Sequence, residues 1–250
     1  MVTGPIIPTP GAVMECTKLL YEYLGDLIVL DVGGATTDLH SVTVESDQVA
    51  RLMISPEPKA KRTVEGDLGV YVNRWKVVES IGEEKLREQC REQGFSMEHA
   101  LETYRAIPKT EEEVKLVELL TREAVVKAAE RHAGRLRYIY GPSGRSTVAE
   151  GKDLTQVKYI VGTGGALTRL PHREEIMREI THCNESGMLL LPGEHAQILV
   201  DHDYIMASLG VLSKRYPQAA ARLLEQSLGI TSGAESGGAG TRLQQGALPA

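Results

Sequence analysis

The stretch 27–42, LIVLDVGGATTDLHSV, constrains this chain more than any other. Four apolar residues, Leu27, Ile28, Val29 and Leu30, follow one another without a polar break. A strand with one wet face alternates, so an unbroken run predicts a strand covered on both sides. The run ends on Asp31, a charge placed where the strand leaves the core. Gly33 and Gly34 predict a two-residue turn at positive φ, and residues 36–44, rich in β-branched side chains, predict the returning strand. The tip then carries small residues, exposed N–H groups, hydroxyls and one carboxylate. Such N–H groups can fold around phosphate oxygens while the carboxylate faces a metal ion or a water.

The 250 residues suffice for a substantial core, and 42% apolar with 25% charged residues is ordinary for a globular protein. A net charge of -6 with only 4% aromatics argues against a nucleic-acid partner. Cys16, Cys90 and Cys183 lie far apart without C-x-x-C spacing, which suits a reducing cytoplasm and suggests neither a disulfide framework nor a zinc site. No apolar run is long enough to span a bilayer, and the proline-broken amino terminus lacks a signal-peptide layout.

Along the chain, residues 1–11 predict an extended segment and 12–24 a helix. After the hairpin, 49–54 predicts a third strand, 55–61 a loop and 68–81 a helix with Leu68, Val72, Trp75 and Val78 spaced for one buried stripe. Residues 82–153 are more charged and predict an inserted α+β subdomain. It contains helices at 83–93 and 110–132, the latter opened by a Thr110/Glu113 capping box, then a strand at 137–140 and a turn at 141–144. Its basic string (Arg131, His132, Arg135, Arg137, Arg145) offers a face to an acidic ligand or simply a solvated surface. A strand at 158–161 runs into Gly162, Thr163, Gly164 and Gly165 and a helix from 166, a layout that lets backbone approach an anionic ligand. A helix at 173–180, a last strand at 188–191, and helices at 204–215 and 219–228 complete the ordered part. His195, Asp201, His202 and Asp203 resemble a metal-ligand cluster, but Asp201 or Asp203 is better used as a helix start. Residues 231–250 are small, polar and glycine-rich, and predict a disordered tail.

The full string DVGGATTD resembles the second phosphate-binding hairpin of the actin/Hsp70/sugar-kinase ATPase superfamily. With LHSV after it, the stretch looks most like the MutL (GlmL) family, the ATPase-like partners of adenosylcobalamin-dependent glutamate mutase, unrelated to the mismatch-repair protein of that name. VGTGGALTRLP resembles the superfamily's adenosine motif, and DHDYIMASLGVL its closing helix. The resemblance covers roughly residues 4–228 and only the second of the two lobes of that architecture. It implies an α/β lobe, 1–81 plus 154–230, with a mixed five-stranded sheet in the order 3-2-1-4-5. It also implies ATP or ADP with Mg²⁺ as cofactors. Phosphates would lie on Gly33, Gly34, Ala35 and Thr36, the nucleoside on Gly162, Gly164 and Gly165, and Asp31 would act on Mg²⁺ through water or orient the attacking water. The implied partners are an adenosylcobalamin-dependent mutase and a first ATPase lobe. The implied role is a cytoplasmic reactivating chaperone that promotes exchange of damaged cobalamin. Half of a small-molecule kinase and a non-catalytic assembly subunit are the alternatives. Without the first lobe, the expectation for this chain alone is weak nucleotide binding and negligible hydrolysis.

Overall fold

Strand β1 (Leu27–Val32) is the axis of the molecule, and its alternation decides the layering. In the computed structural model, which describes residues 7–142 and 144–230, Leu27 and Val29 enter one hydrophobic cluster, while Ile28, Leu30 and Val32 enter another. Successive side chains leave a strand on opposite faces, so burial of both faces requires the unbroken apolar run. Strand β2 (Thr37–Val42) pairs antiparallel with β1, and β3 (Ala60–Glu65) antiparallel with β2. Strands β4 (Arg135–Gly141) and β5 (Gly144–Glu150) form a separate antiparallel ribbon. Strands β6 (Tyr159–Thr163) and β7 (Gln197–Val200) extend the main sheet in parallel on the other side of β1. The order is β3-β2-β1-β6-β7, a mixed five-stranded sheet in the expected 3-2-1-4-5 arrangement.

Helix α1 (Thr9–Leu24) covers the Leu27 face. A single turn, α2 (Asp47–Ala50), packs beside β5. The opposite face is covered by α3 (Arg74–Ile81), α4 (Glu83–Glu92), α5 (Met97–Thr103), α6 (Glu111–His132), α7 (Gly164–Arg169) and α8 (Arg173–Arg178). Helices α9 (Met206–Ser213) and α10 (Pro217–Ser227) return to the side of α1. Within residues 82–153, α6 lies on the sheet and shares its cluster, whereas the β4–β5 ribbon projects from it. The expected capping box opens α6: the Thr110 hydroxyl accepts the Glu113 N–H at 3.2 Å, and the Glu113 carboxylate accepts the Thr110 N–H at 3.2 Å.

Two strands of the sheet are not the segments expected. Residues 49–54 do not form the third strand, because Ser46 caps α2 through the Val49 N–H at 3.2 Å and Val49 packs against Ala149 and Leu190. The edge strand is Ala60–Glu65, in the segment that partly reads as a loop; it buries little and owes its form to pairing with β2. Residues 188–191 do not form the fifth strand either. They bridge to the base of the ribbon, the Leu136 N–H donating to Met188 O at 2.7 Å and the Leu190 N–H to Gly134 O at 2.8 Å. Strands 3 and 5 of the expected order are therefore other residues in the same places. Helix α3 starts at Arg74 rather than 68, because residues 66–73 are held against the hairpin tip, and of the expected buried stripe only Leu68 and Val78 are buried while Val72 and Trp75 are exposed. Helix α1 starts at Thr9, within the stretch expected to be extended, since Pro10 in its first turn loses no helical hydrogen bond. The expected tail, 231–250, lies outside the described residues.

Candidate functional site

Strands β1, β6 and β7 are parallel, so their carboxyl ends open on one edge, where open α/β sheets place their ligands. A polar row crosses that edge. Register sets Asp38 opposite Asp31 and Asp31 beside Thr163. The Thr163 hydroxyl donates to the Asp201 carboxylate at 2.8 Å. Asp201 is fully buried and also accepts the Ser227 hydroxyl at 2.6 Å and the Ile205 and Met206 N–H groups at 3.2 and 3.0 Å. It is therefore the start signal of α9, and the sequence cluster around it is not a ligand set: no group of three metal-ligating side chains occurs among the described residues.

The two acids at the hairpin are less satisfied. Asp38 is 3% exposed, and its Oδ1 has no hydrogen-bond partner among the described residues. Burial and then the Asp31 charge push its carboxyl up to about 6, with Glu65 adding to the rise and Arg62 opposing it. Burial and then the Asp201 charge push Asp31 up to about 6 as well. Neighbouring carboxylates with an orphaned oxygen fit a divalent cation, whose charge would offset both burial and repulsion.

The hairpin connection spans four residues, 33–36, closed by the Gly33 N–H donating to Thr36 O at 2.9 Å. Neither Gly33 nor Gly34 lies at positive φ, so the expected two-residue turn is corrected. Glycine is needed for space instead. Val70, Tyr71 and Val72 donate their N–H groups to the carbonyls of Gly33 and Gly34, and a Cβ on Gly34 would stand 3.2 Å from the Tyr71 Cβ. Asn73 Nδ2 donates to Ala35 O at 2.8 Å, and the Thr37 hydroxyl to Leu68 O at 2.7 Å. With its carbonyls tied back in this way, the tip keeps the N–H groups of Gly34, Ala35 and Thr36 without a protein acceptor among the described residues. Three such donors at an exposed tip form a concavity for an anion.

Beside the tip, on the α6 side, lies a cavity of about 480 Å³. Gly33, Gly34 and Tyr71 form one wall, Gly165, Ala166 and Arg169 of α7 another, and Tyr104, Ile107 and Pro108 a third. The volume is in the range of small-ligand sites. Tyr204 closes it from the Asp201 turn with φ 54, an unusual conformation for a residue with a side chain. Gly164, at φ 86, joins the two halves of the site: a Cβ there would fall 2.5 Å from Asp31 Oδ1 and 2.5 Å from Val32 O.

Of the expected site residues, Gly33, Gly34 and Gly165 line the cavity, Ala35 and Thr36 contribute tip N–H groups, and Asp31 meets Gly164 outside the cavity lining, on the face of β1 that α1 covers. Gly162 stands apart. It is buried in β6, and a Cβ there would meet Met177 Sδ at 2.6 Å, so it serves packing against α8. Asp38, on the second strand of the hairpin, is the buried partner of Asp31. Its side chain leaves β2 on the same face as His40 and Val42, the face that α1 covers, and no local pattern marks it as buried, since every residue of β2 is. Tyr71, Tyr104 and Ile107 come from distant segments and carried no local signal.

A family model, "MutL protein", matches residues 1–228. "Protein MutL" of Clostridium tetanomorphum is 35% identical over 239 residues, which cover 91% of this chain and 52% of that protein. The chain thus spans about half the length of the curated relative it matches. With a family model covering nearly all the described residues, this α/β chain belongs to the MutL family.

Proposed function

We propose that this chain is the nucleotide-binding half of an ATPase-like protein of the actin-like superfamily that serves an adenosylcobalamin-dependent mutase of the glutamate mutase type in the cytoplasm, promoting exchange of damaged cobalamin. The observation that carries the nucleotide reading is the set of N–H groups at Gly34, Ala35 and Thr36, without an acceptor among the described residues, which opens beside the cavity that reaches α7. Polyphosphate oxygens would lie on those N–H groups, and the nucleoside against Gly165 with Gly164 beneath. Membership of the MutL family supports the mutase as client.

Asp31 and Asp38 would hold Mg²⁺, with water between, since magnesium keeps several waters and takes few carboxylates directly. The ion would supply charge neutralisation at the phosphates. The role of the chain's own groups is to orient and to exclude solvent: Gly164 leaves Asp31 its place, Thr163 holds Asp201, and Asp201 fixes the start of α9. A second lobe, closing over this edge, would exclude water and strengthen the contacts. The chain alone would accordingly bind nucleotide weakly and turn it over negligibly.

Titration calorimetry with Mg·ADP and Mg·ATP on the chain tests the reading, followed by the same titration and phosphate release after a first ATPase lobe is supplied. Gly34→Val should abolish binding, because its side chain fills the place of a phosphate oxygen and presses on Tyr71. Asp31→Asn should keep most affinity and lower turnover by roughly two orders of magnitude. Unchanged affinity in Gly34→Val would remove the hairpin from the site. Failure of the completed protein to accelerate cobalamin exchange on a mutase would remove the client while leaving the nucleotide site standing.

A further inference from the structure

We propose that the β4–β5 ribbon of one chain docks into an acidic, apolar groove between α3 and α5 of a second copy. The ribbon is covered only at its base, where Leu136 donates its N–H to Met188 O and Ala149 is buried against Val49 and Leu190. Beyond that base Tyr138 is 48% exposed, Ile139 48% and Tyr140 79%. Tyr138 and Tyr140 leave one face and Ile139 the other, so neither face is a core face. An isolated two-stranded ribbon is marginal in water, and one with bulky apolar side chains on both faces gains by being covered.

Charge identifies what covers it. The ribbon carries Arg135, Arg137 and Arg145 against one acid, Glu150, which pairs with Arg137 at 2.6 Å. Arg145 stacks over the Tyr138 ring at 4.4 Å on the tyrosine face, while Arg135 and Arg137 leave on the Ile139 face, so both faces of the ribbon are basic on a chain of net charge -6. The rest of the basic string in the sequence is used internally: Arg131 pairs with Glu65 and Asp67, and His132 is buried between Ser41 and Thr63.

The complementary surface is on the same chain. A groove of about 380 Å³ has the buried Met97 and Leu101 as its floor and Trp75, 57% exposed, as its wall. Its lining adds Glu83, Glu98 and Glu102 and no basic residue. Arg87 ties Glu83 and Glu98 together, and Glu102 makes no ion pair among the described residues. Neither ribbon nor groove is covered by the described residues of its own chain, and their opposite charges fit a contact between chains. A seven-residue ribbon is ~24 Å long, and one such contact buries on the order of 1,000 Å² in total, the lower end of a specific interface. The contact is weakened by salt, because the pairing is exposed and charged.

Sedimentation equilibrium on the 250-residue chain tests this at low and high salt, with far-UV circular dichroism as the check on folding. Wild type should self-associate below ~100 μM and dissociate as salt rises. Two ribbon variants, Tyr140→Ser and Arg145→Glu, and two groove variants, Trp75→Ser and Glu102→Arg, should each weaken association at least tenfold; all four sites are exposed, so the fold is kept. Mixing Arg145→Glu chains with Glu102→Arg chains should restore association, since one intact ribbon and one intact groove are then present. A wild type that stays monomeric throughout overturns the proposal, including the case in which the ribbon instead holds a different acidic protein. So does association that the variants leave unchanged, or a mixture that stays monomeric.

Discussion

Asp38→Asn should stabilise the free chain at neutral pH, because the site holds two carboxylates in a place that disfavours their charge. Burial and the Asp31 charge raise the Asp38 carboxyl from 3.8 to about 6. A shift of that size is worth ~3 kcal/mol at 1.36 kcal/mol per unit. With the folded-state value above the unfolded one, ionised Asp38 costs stability above pH 6, and the cost shrinks as pH falls through 6 toward 3.8. The asparagine amide brings two N–H groups into a buried position, an unpaired donor costing ~1 kcal/mol. The net gain is therefore ~2 kcal/mol near pH 7.5, falling to about zero near pH 4.5. Urea unfolding of both proteins at the two pH values, followed by circular dichroism, reads the difference directly. An Asp38→Asn chain less stable than wild type near neutrality, or an offset equal at both pH values, would refute the reasoning. The same variant should lose any stabilisation that wild type gains from Mg²⁺ with nucleotide, which would mark the strain at Asp38 as serving ligand binding.

Gly164→Ala should cost several kcal/mol in thermal unfolding, since the residue stands at φ 86 and its Cβ would fall 2.5 Å from Asp31 Oδ1. His132→Leu should cost ~2–4 kcal/mol in urea unfolding, because it leaves the Ser41 and Thr63 hydroxyls, 2.8 and 2.9 Å from the imidazole, without their partner. Burial pushes both His40 and His132 down to about 3, so their contribution is intact above pH 6.5 and is lost as pH falls toward 3. Denaturation from pH 7 to 4 should therefore be steeper in Asp38→Asn than in wild type, because the wild-type Asp38 takes up a proton in the folded state over the same range and offsets the loss.

The helices α1, α4 and α6 and strands β1, β2 and β6 were legible because each rests on a local pattern, whereas the strand order came with the family resemblance. The unbroken run of β1 can be satisfied only between two layers, and Thr110 with Glu113 begins a helix wherever an apolar stripe follows. The edge strands were not legible in the same way. Ala60–Glu65 buries little, so its extended form comes from the β2 backbone beside it, while residues 49–54 look more strand-like but are taken by α2 and the ribbon. The glycines at 33, 34, 164 and 165 mark a backbone that something must approach. That Gly34 yields to Tyr71 rather than to a positive φ depends on a segment thirty-seven residues away. Local pattern settles the central hairpin, its acid and its glycine tip. Tertiary structure alone decided that Asp38 is buried opposite Asp31, that Tyr104 and Ile107 wall the cavity, and that the β4–β5 ribbon stands uncovered. Turn and burial preferences act between near neighbours along the chain, whereas register and cavity walls exist only once distant segments have paired.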